Sequence, residues 1–174
     1  MQKYYSQEYY SQVIFKLQEA NLLRSPDSKN LLKFIIRKFS ETSSYHCSAQ
    51  FRSFQVKEKT KNINNKSLYH SYCSKNFKHE HIVPCQALYE ILKDKKFSSP
   101  REILDWLSPL SIRATITIEE DNILNSAGYK SKMPPEFFDE NHELYNDPFA
   151  RYKKTGIFSN LKKGFDADLR STPI

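Results

Sequence analysis

The segment Lys78-His79-Glu80-His81-Ile82-Val83-Pro84 concentrates the reactive side chains of this chain. An imidazole beside a carboxylate offers a proton acceptor that titrates near neutrality and a neighbouring negative charge, a combination suited to hydrolysis. The spacing is not that of a zinc protease, because an HExxH motif would need histidine at position 83 and Val83 is there. On a strand, consecutive side chains leave opposite faces, so Glu80 and His81 diverge unless the strand bends or ends, which Pro84 encourages. His79 and His81, two apart, share a face, and a structural histidine pair is an equal reading of that spacing. Cys47, Cys73, Cys85 and His70 supply four ligands of the zinc type, but no two cysteines form a CxxC pair and an odd number suits no disulfide framework.

The elements that must position these residues follow from periodicity. Tyr10, Val13, Ile14, Leu17, Ala20 and Leu22 recur at helical steps, and Arg24-Ser25-Pro26-Asp27-Ser28 interrupts them before a second helix with Leu31, Leu32, Phe34, Ile35, Ile36 and Phe39. An extended segment is expected over 47–56 and an exposed polar loop over 57–66. Phe77 to Val83 reads as a short strand ended by Pro84, and Gln86 to Lys93 as a helix. Ser99-Pro100 opens another helix, with serine as cap and proline at the first helical position. Ile112-Arg113-Ala114-Thr115-Ile116-Thr117-Ile118 is the clearest strand, and Glu119-Glu120-Asp121 suits the positive end of a helix that starts there. Residues 126–148, with Gly128, Pro134, Pro135 and Pro148, read as loop, and Phe149 to Tyr152 as one more helical turn.

Composition limits the function classes. The chain has 174 residues, enough for one compact domain, or one domain with a small helical appendage, and its aromatic content of 14% can furnish a core. Three glycines leave no Gly-rich phosphate loop or dinucleotide fingerprint. No run of 18 apolar residues occurs and the start lacks a secretory leader, so a soluble cytoplasmic protein without membrane contact is expected. The net charge of +7 is uneven: residues 51–96 carry +6, residues 97–150 carry −6 and residues 151–174 carry +4. A basic half and tail around an acidic stretch suit a protein that grips a polyanion, although a solvated surface explains charge alone equally well.

Taken with Ile116-Thr117-Ile118-Glu119-Glu120-Asp121-Asn122 and Lys130-Ser131-Lys132-Met133-Pro134, the Glu-His-Ile-Val-Pro segment resembles the HNH, or ββα-metal, endonucleases, and looks closest to the HNH domain of RNA-guided CRISPR nucleases. The resemblance spans residues 77–84 and 112–134. It implies an α+β fold with a ββα-metal nuclease core, in which the helices read between Pro84 and Pro109 form an insertion between the two strands and the first helices form an N-terminal helical platform over 1–45 preceding a nuclease domain over 46–174. It implies that Glu80 and Asn122 hold one Mg²⁺ or Mn²⁺ and that His81 is the general base. Lys78, Lys130, Lys132 and Arg151 are the candidate contacts to nucleic acid, Arg151 being equally able to pair with Asp147. DNA is the implied partner, RNA a possible one, and a homodimer would let one site per chain cut both strands.

The chain departs from the family pattern in several places. Glu80 stands where Asp or His is commoner, and 41 residues separate His81 from Asn122, more than a hairpin needs. Arg113 falls near the place of the family's middle Asn, and the zinc-knuckle cysteine pairs are missing. The alternative to a DNA endonuclease is a non-catalytic nucleic-acid-binding or nuclease-inhibiting protein on a degenerate HNH scaffold. A ribonuclease with the same fold is a third reading.

Overall fold

A computed structural model describes residues 5–41 and 49–163. Helices α1 (Gln7–Glu19) and α2 (Ser28–Glu41) form where the apolar periodicity predicts them, and the Ser6 side chain caps α1 by accepting from the Tyr9 amide. A three-residue strand β1 (Phe51–Ser53) runs directly into α3 (Phe54–Thr60), and α4 (Lys66–Asn76) leads into β2 (Phe77–His81). Helices α5 (Cys85–Leu92) and α6 (Pro100–Leu107) follow, then β3 (Arg113–Thr117) and α7 (Ile118–Ser126). Past a 3₁₀ turn at Pro135–Phe138 come α8 (Ala150–Lys154), a second such turn at Ile157–Asn160 and β4 (Leu161–Lys163). The fold is therefore mixed α+β, with helices α5 and α6 inserted between β2 and β3.

The four strands form one sheet in the order β2-β3-β1-β4. Strand β2 lies at its edge, antiparallel to β3, with Glu80 opposite Ala114 and His81 opposite Arg113. Strand β1 is parallel to β3 and antiparallel to β4. Every residue of β3 is buried, which explains its run of β-branched residues: a central strand needs apolar or satisfied side chains on both faces.

The N-terminal helices share one core with the inserted pair. Ile14, Leu32, Ile36 and Phe39 pack with Leu88, Leu92, Ile103 and Leu107. Gln18 makes two bonds to the backbone of Phe97, donating to its carbonyl at 2.8 Å and accepting from its amide at 2.9 Å, and so ties α1 to the segment before α6. Ser99 caps α6 and Pro100 occupies its first turn, as the sequence predicts.

The polar stretch 57–66, expected as a loop, is a correction. Residues 57–60 belong to α3 and Lys66 opens α4, leaving only 61–65 as the connection, because Val56, Tyr69, Cys73 and Phe77 bury a small separate core between these helices and β2. The extended segment expected over 47–56 reduces to three residues of strand among those described. Cys47, which completes the candidate zinc set, lies outside the described residues. Cys73 is in the small core and Cys85 packs against the large one, and no group of three or more His, Cys, Asp or Glu able to hold a metal occurs among the described residues. No described helix is long and apolar enough to cross a membrane.

Candidate functional site

Helix α7 starts without a linker at the end of β3. Thr117 is its cap: the threonine hydroxyl accepts from the Glu120 amide at 3.2 Å, and the Glu120 carboxylate accepts from the Thr117 amide at 2.9 Å. This reciprocal pair satisfies two amides that would otherwise lack partners at the helix start, and it fixes the direction in which the first turn leaves the sheet. The acidic run 119–121 thus occupies the positive end of a helix.

Strand geometry separates the two residues of the Glu-His pair. The strand remains regular through His81, so Glu80 faces one way with Lys78, and His81 faces the other with His79 and Phe77. Their partners differ accordingly. The Oε2 atom of Glu80 accepts from Nη2 of Arg151 at 3.0 Å. His81 Nε2 lies 2.7 Å from the Ser40 hydroxyl on α2. That hydroxyl has one proton and donates it to the Arg37 carbonyl at 2.7 Å, so Nε2 of His81 is the donor in their bond. The neutral imidazole then carries its lone pair on Nδ1, the nitrogen able to accept a proton.

Burial holds His81 neutral. Its pKa falls to about 4, first because of desolvation and then because Arg113 and Arg37 stand near it. Glu80 moves the other way: burial raises its carboxyl above the ordinary range, Arg151 offsets part of this, and the charge of Asp121 adds to the rise. The acidic neighbour of Glu80 is therefore Asp121. Asn122 is exposed, a helical step of about 100° further round α7. Asp121 accepts from Asn125 Nδ2 at 3.1 Å, and Asn125 Oδ1 and the Tyr152 hydroxyl are buried without a hydrogen-bond partner among the described residues. Burial raises the Tyr152 phenol, opposed by Arg151 and reinforced by Glu80, Asp121 and Glu120, so these groups form one electrostatic neighbourhood.

Of the oxygen donors in this neighbourhood, the Glu80 and Asp121 carboxylates, the Asn125 amide oxygen and the Tyr152 phenol are of the type that a hard divalent cation takes, the Glu120 carboxylate being engaged in the helix cap. With Arg151 among them the three carboxylates leave a net negative charge. The orphaned Asn125 oxygen is the observation that favours the fit.

Arg151 corrects an expectation. It does not reach solvent, its side chain being 0% exposed, so it is not a surface clamp for phosphate, and its acidic partner is Glu80 rather than Asp147. Asp147 pairs with Lys153 at 2.6 Å. Arg151 donates to the carbonyls of Ile82 and Tyr129 at 2.8 Å each and also to that of His81. It thereby fastens the end of β2, the loop after α7 and helix α8 to one point. Lys78, Lys130 and Lys132 are exposed, Lys78 on the Glu80 side of β2 and the other two on the loop that Arg151 anchors.

Sequence reasoning missed Asp121, Ser40 and the role of Arg151. The Asp121 signal was present, since an acidic residue beside the expected ligand is equally close in sequence; Ser40 carried no signal. The chain matches no protein-family model, curated protein or solved structure.

Proposed function

We propose that this chain is a metal-dependent endonuclease of the HNH type, hydrolysing DNA phosphodiester bonds with His81 as general base. The supporting observation is the β2–β3–α7 run, an antiparallel strand pair followed directly by a capped helix whose Asp121 charge acts on Glu80. On this reading the ββα-metal core comprises these three elements, and α5 and α6 are its insertion. Strand β2 is an edge with no neighbour on its outer side, so a phosphodiester lying along that edge would approach side chains from both faces of the strand.

His81 accepts the proton of the attacking water on Nδ1 while Ser40 holds the ring through Nε2. Glu80, Asp121 and Asn125 are the groups to hold a divalent cation, with Asn122 the ligand that the family resemblance implies instead. Bound there, Mg²⁺ or Mn²⁺ supplies positive charge for the scissile phosphate and the departing 3′ oxygen. Arg151 orients Glu80, and Lys78, Lys130 and Lys132 meet the phosphate backbone. Cleavage of both strands would call for a homodimer.

The test is supercoiled plasmid incubated with Mg²⁺, Mn²⁺ or chelator. Wild type is expected to nick or cut with metal alone, and His81→Ala to lose at least about a hundredfold in rate while still binding DNA. Undiminished cutting by that variant would overturn the assignment.

One observation favours a second reading. Glu80 already has a buried cationic partner and His81 is tied to α2, as in a scaffold kept for shape. A non-catalytic nucleic-acid-binding or nuclease-inhibiting protein would show salt-sensitive binding and no nicking with either metal. RNA tested beside DNA separates the ribonuclease reading.

A further inference from the structure

A cleft of about 610 Å³ opens between the α3–α4 connection and the outer side of α4, away from Glu80 and His81 in the chain. Four asparagines, Asn62, Asn64, Asn65 and Asn76, line it together with Tyr72 and Lys75. Two of these amides have half their capacity committed. Asn65 Oδ1 caps α4 by accepting from the Leu68 amide at 3.0 Å, leaving its NH₂ group for the cleft. Asn76 Nδ2 donates to the Tyr72 carbonyl at 2.8 Å, leaving its oxygen. The wall therefore offers donors and acceptors side by side, the pattern that reads the edge of a heterocyclic base. Tyr72, 36% exposed, is braced edge-on against the Phe77 ring at 5.8 Å, and Leu68, 64% exposed, extends the apolar floor. A braced, half-exposed aromatic ring is a stacking platform.

Charge selects among ligands with such edges. Residues 54–76 hold Lys57, Lys59, Lys61, Lys66 and Lys75 against one acid, Glu58. Lys61 pairs with Glu58 at 2.8 Å, so the excess positive charge lies with the remaining lysines, Lys75 lining the cleft itself. A neutral sugar would use the amides and the ring but not the cations, whereas a nucleotide uses all three.

We infer that the α3–α4 cleft binds an unpaired nucleotide of a polynucleotide, its base on Tyr72 with its edge toward the asparagines and its phosphate toward Lys75. This rests on the reading that the protein acts on nucleic acid, and it names the form that is bound: a single-stranded or locally opened segment. Helix α4 runs directly into β2, so a strand seated in the cleft continues toward Lys78 and the edge that carries Glu80 and His81.

The experiment is fluorescence anisotropy with a labelled single-stranded 12-mer in chelator, so that neither metal nor cleavage enters. DNA and RNA versions, a blunt duplex and a mononucleoside monophosphate are the comparison ligands. Expected results are tighter binding of the single strand than of the duplex, weakening of about tenfold in Tyr72→Ala with Tyr72→Phe near wild type, and a salt slope lower by about one in Lys75→Gln. Circular dichroism melting of each variant separates lost binding from lost folding, and Asn64→Ala, an exposed connection residue, provides a variant with little structural burden. The inference is overturned if folded Tyr72→Ala and Asn64→Ala both bind as wild type, if duplex binds as tightly as single strand, or if the mononucleotide binds as tightly as the 12-mer. Tyr72-dependent binding with no cleavage under Mg²⁺ would keep this cleft and remove the nuclease reading; cleavage with unaltered binding by both variants would do the reverse.

Discussion

Arg151 and Glu80, 71 residues apart, meet at 3.0 Å, the guanidinium fully enclosed and the carboxylate side chain about one quarter exposed. The asymmetry matters. Burying an arginine is costly, and here one carboxylate and three carbonyls compensate it, which makes Arg151 a structural junction through which the Glu80 carboxylate is aimed.

Removing one partner of that pair leaves the other charge enclosed. Arg151→Ala is expected to lower unfolding stability by about 3–5 kcal/mol, read as a shift of the urea midpoint, and Arg151→Lys to recover only a part because a single ammonium cannot span the carbonyl set. Glu80→Gln, which keeps a hydrogen-bond acceptor for Nη2, should cost less. Equal stability of Arg151→Ala and wild type would show that the junction carries no load.

His81 gives stability a pH dependence of definite sign. The folded ring takes its proton only near pH 4, the unfolded ring near 6.5. Between these values the unfolded chain binds more protons, so stability present above pH 6.5 is lost as pH falls toward 4, on the order of 3 kcal/mol in all. Glu80, raised by burial, acts oppositely: its contribution is present at low pH and lost as pH rises through its folded value. Urea midpoints from pH 7.5 down to 4.5 should therefore fall more steeply for wild type than for His81→Gln. Parallel profiles would refute the account.

The cap at Thr117 sets the aim of α7. Thr117→Ala is expected to cost about 1 kcal/mol, as loss of a helix cap usually does. If the nuclease reading holds, it should also raise the Mg²⁺ concentration needed for half-maximal cleavage, because Asp121 sits one turn from the cap. A stability loss with no change in metal requirement would separate the cap from the site.

On the nuclease reading Asp121 and Asn122 compete for the proposed ligand role, and substitution decides between them. Asp121→Ala should raise the metal requirement more than Asn122→Ala does, since the Asp121 carboxylate shares the surroundings of Glu80 while Asn122 faces solvent. The reverse order would restore the family-like assignment.

Much of the helical framework was legible because burial there is one-sided. Ile14, Leu32, Ile36 and Phe39 recur at helical spacing since each helix covers only one flank of the core. The α4 helix escaped notice for the opposite reason: Lys66–Asn76 buries little beyond Tyr69 and Cys73, so it shows no broad apolar stripe. Strand β4 was equally invisible, its three residues becoming a strand only by pairing with β1 more than a hundred positions earlier. In the candidate site, the divergence of Glu80 and His81 followed from the two-residue period of a strand. Their partners did not, because neither Ser40 nor Arg151 is linked to them by local spacing.

Two adjacent residues held from opposite sides also restrain how β2 can slide. A shift of one position along β3 would turn Glu80 toward the Ser40 hydroxyl and His81 toward the Arg151 guanidinium, exchanging an ion pair for contact with a neutral ring and leaving an enclosed positive charge without a counterion. A five-residue edge strand has few backbone bonds to oppose such slippage. The Glu-His step thus works as a key with two unlike teeth, admitting one alignment of the sheet.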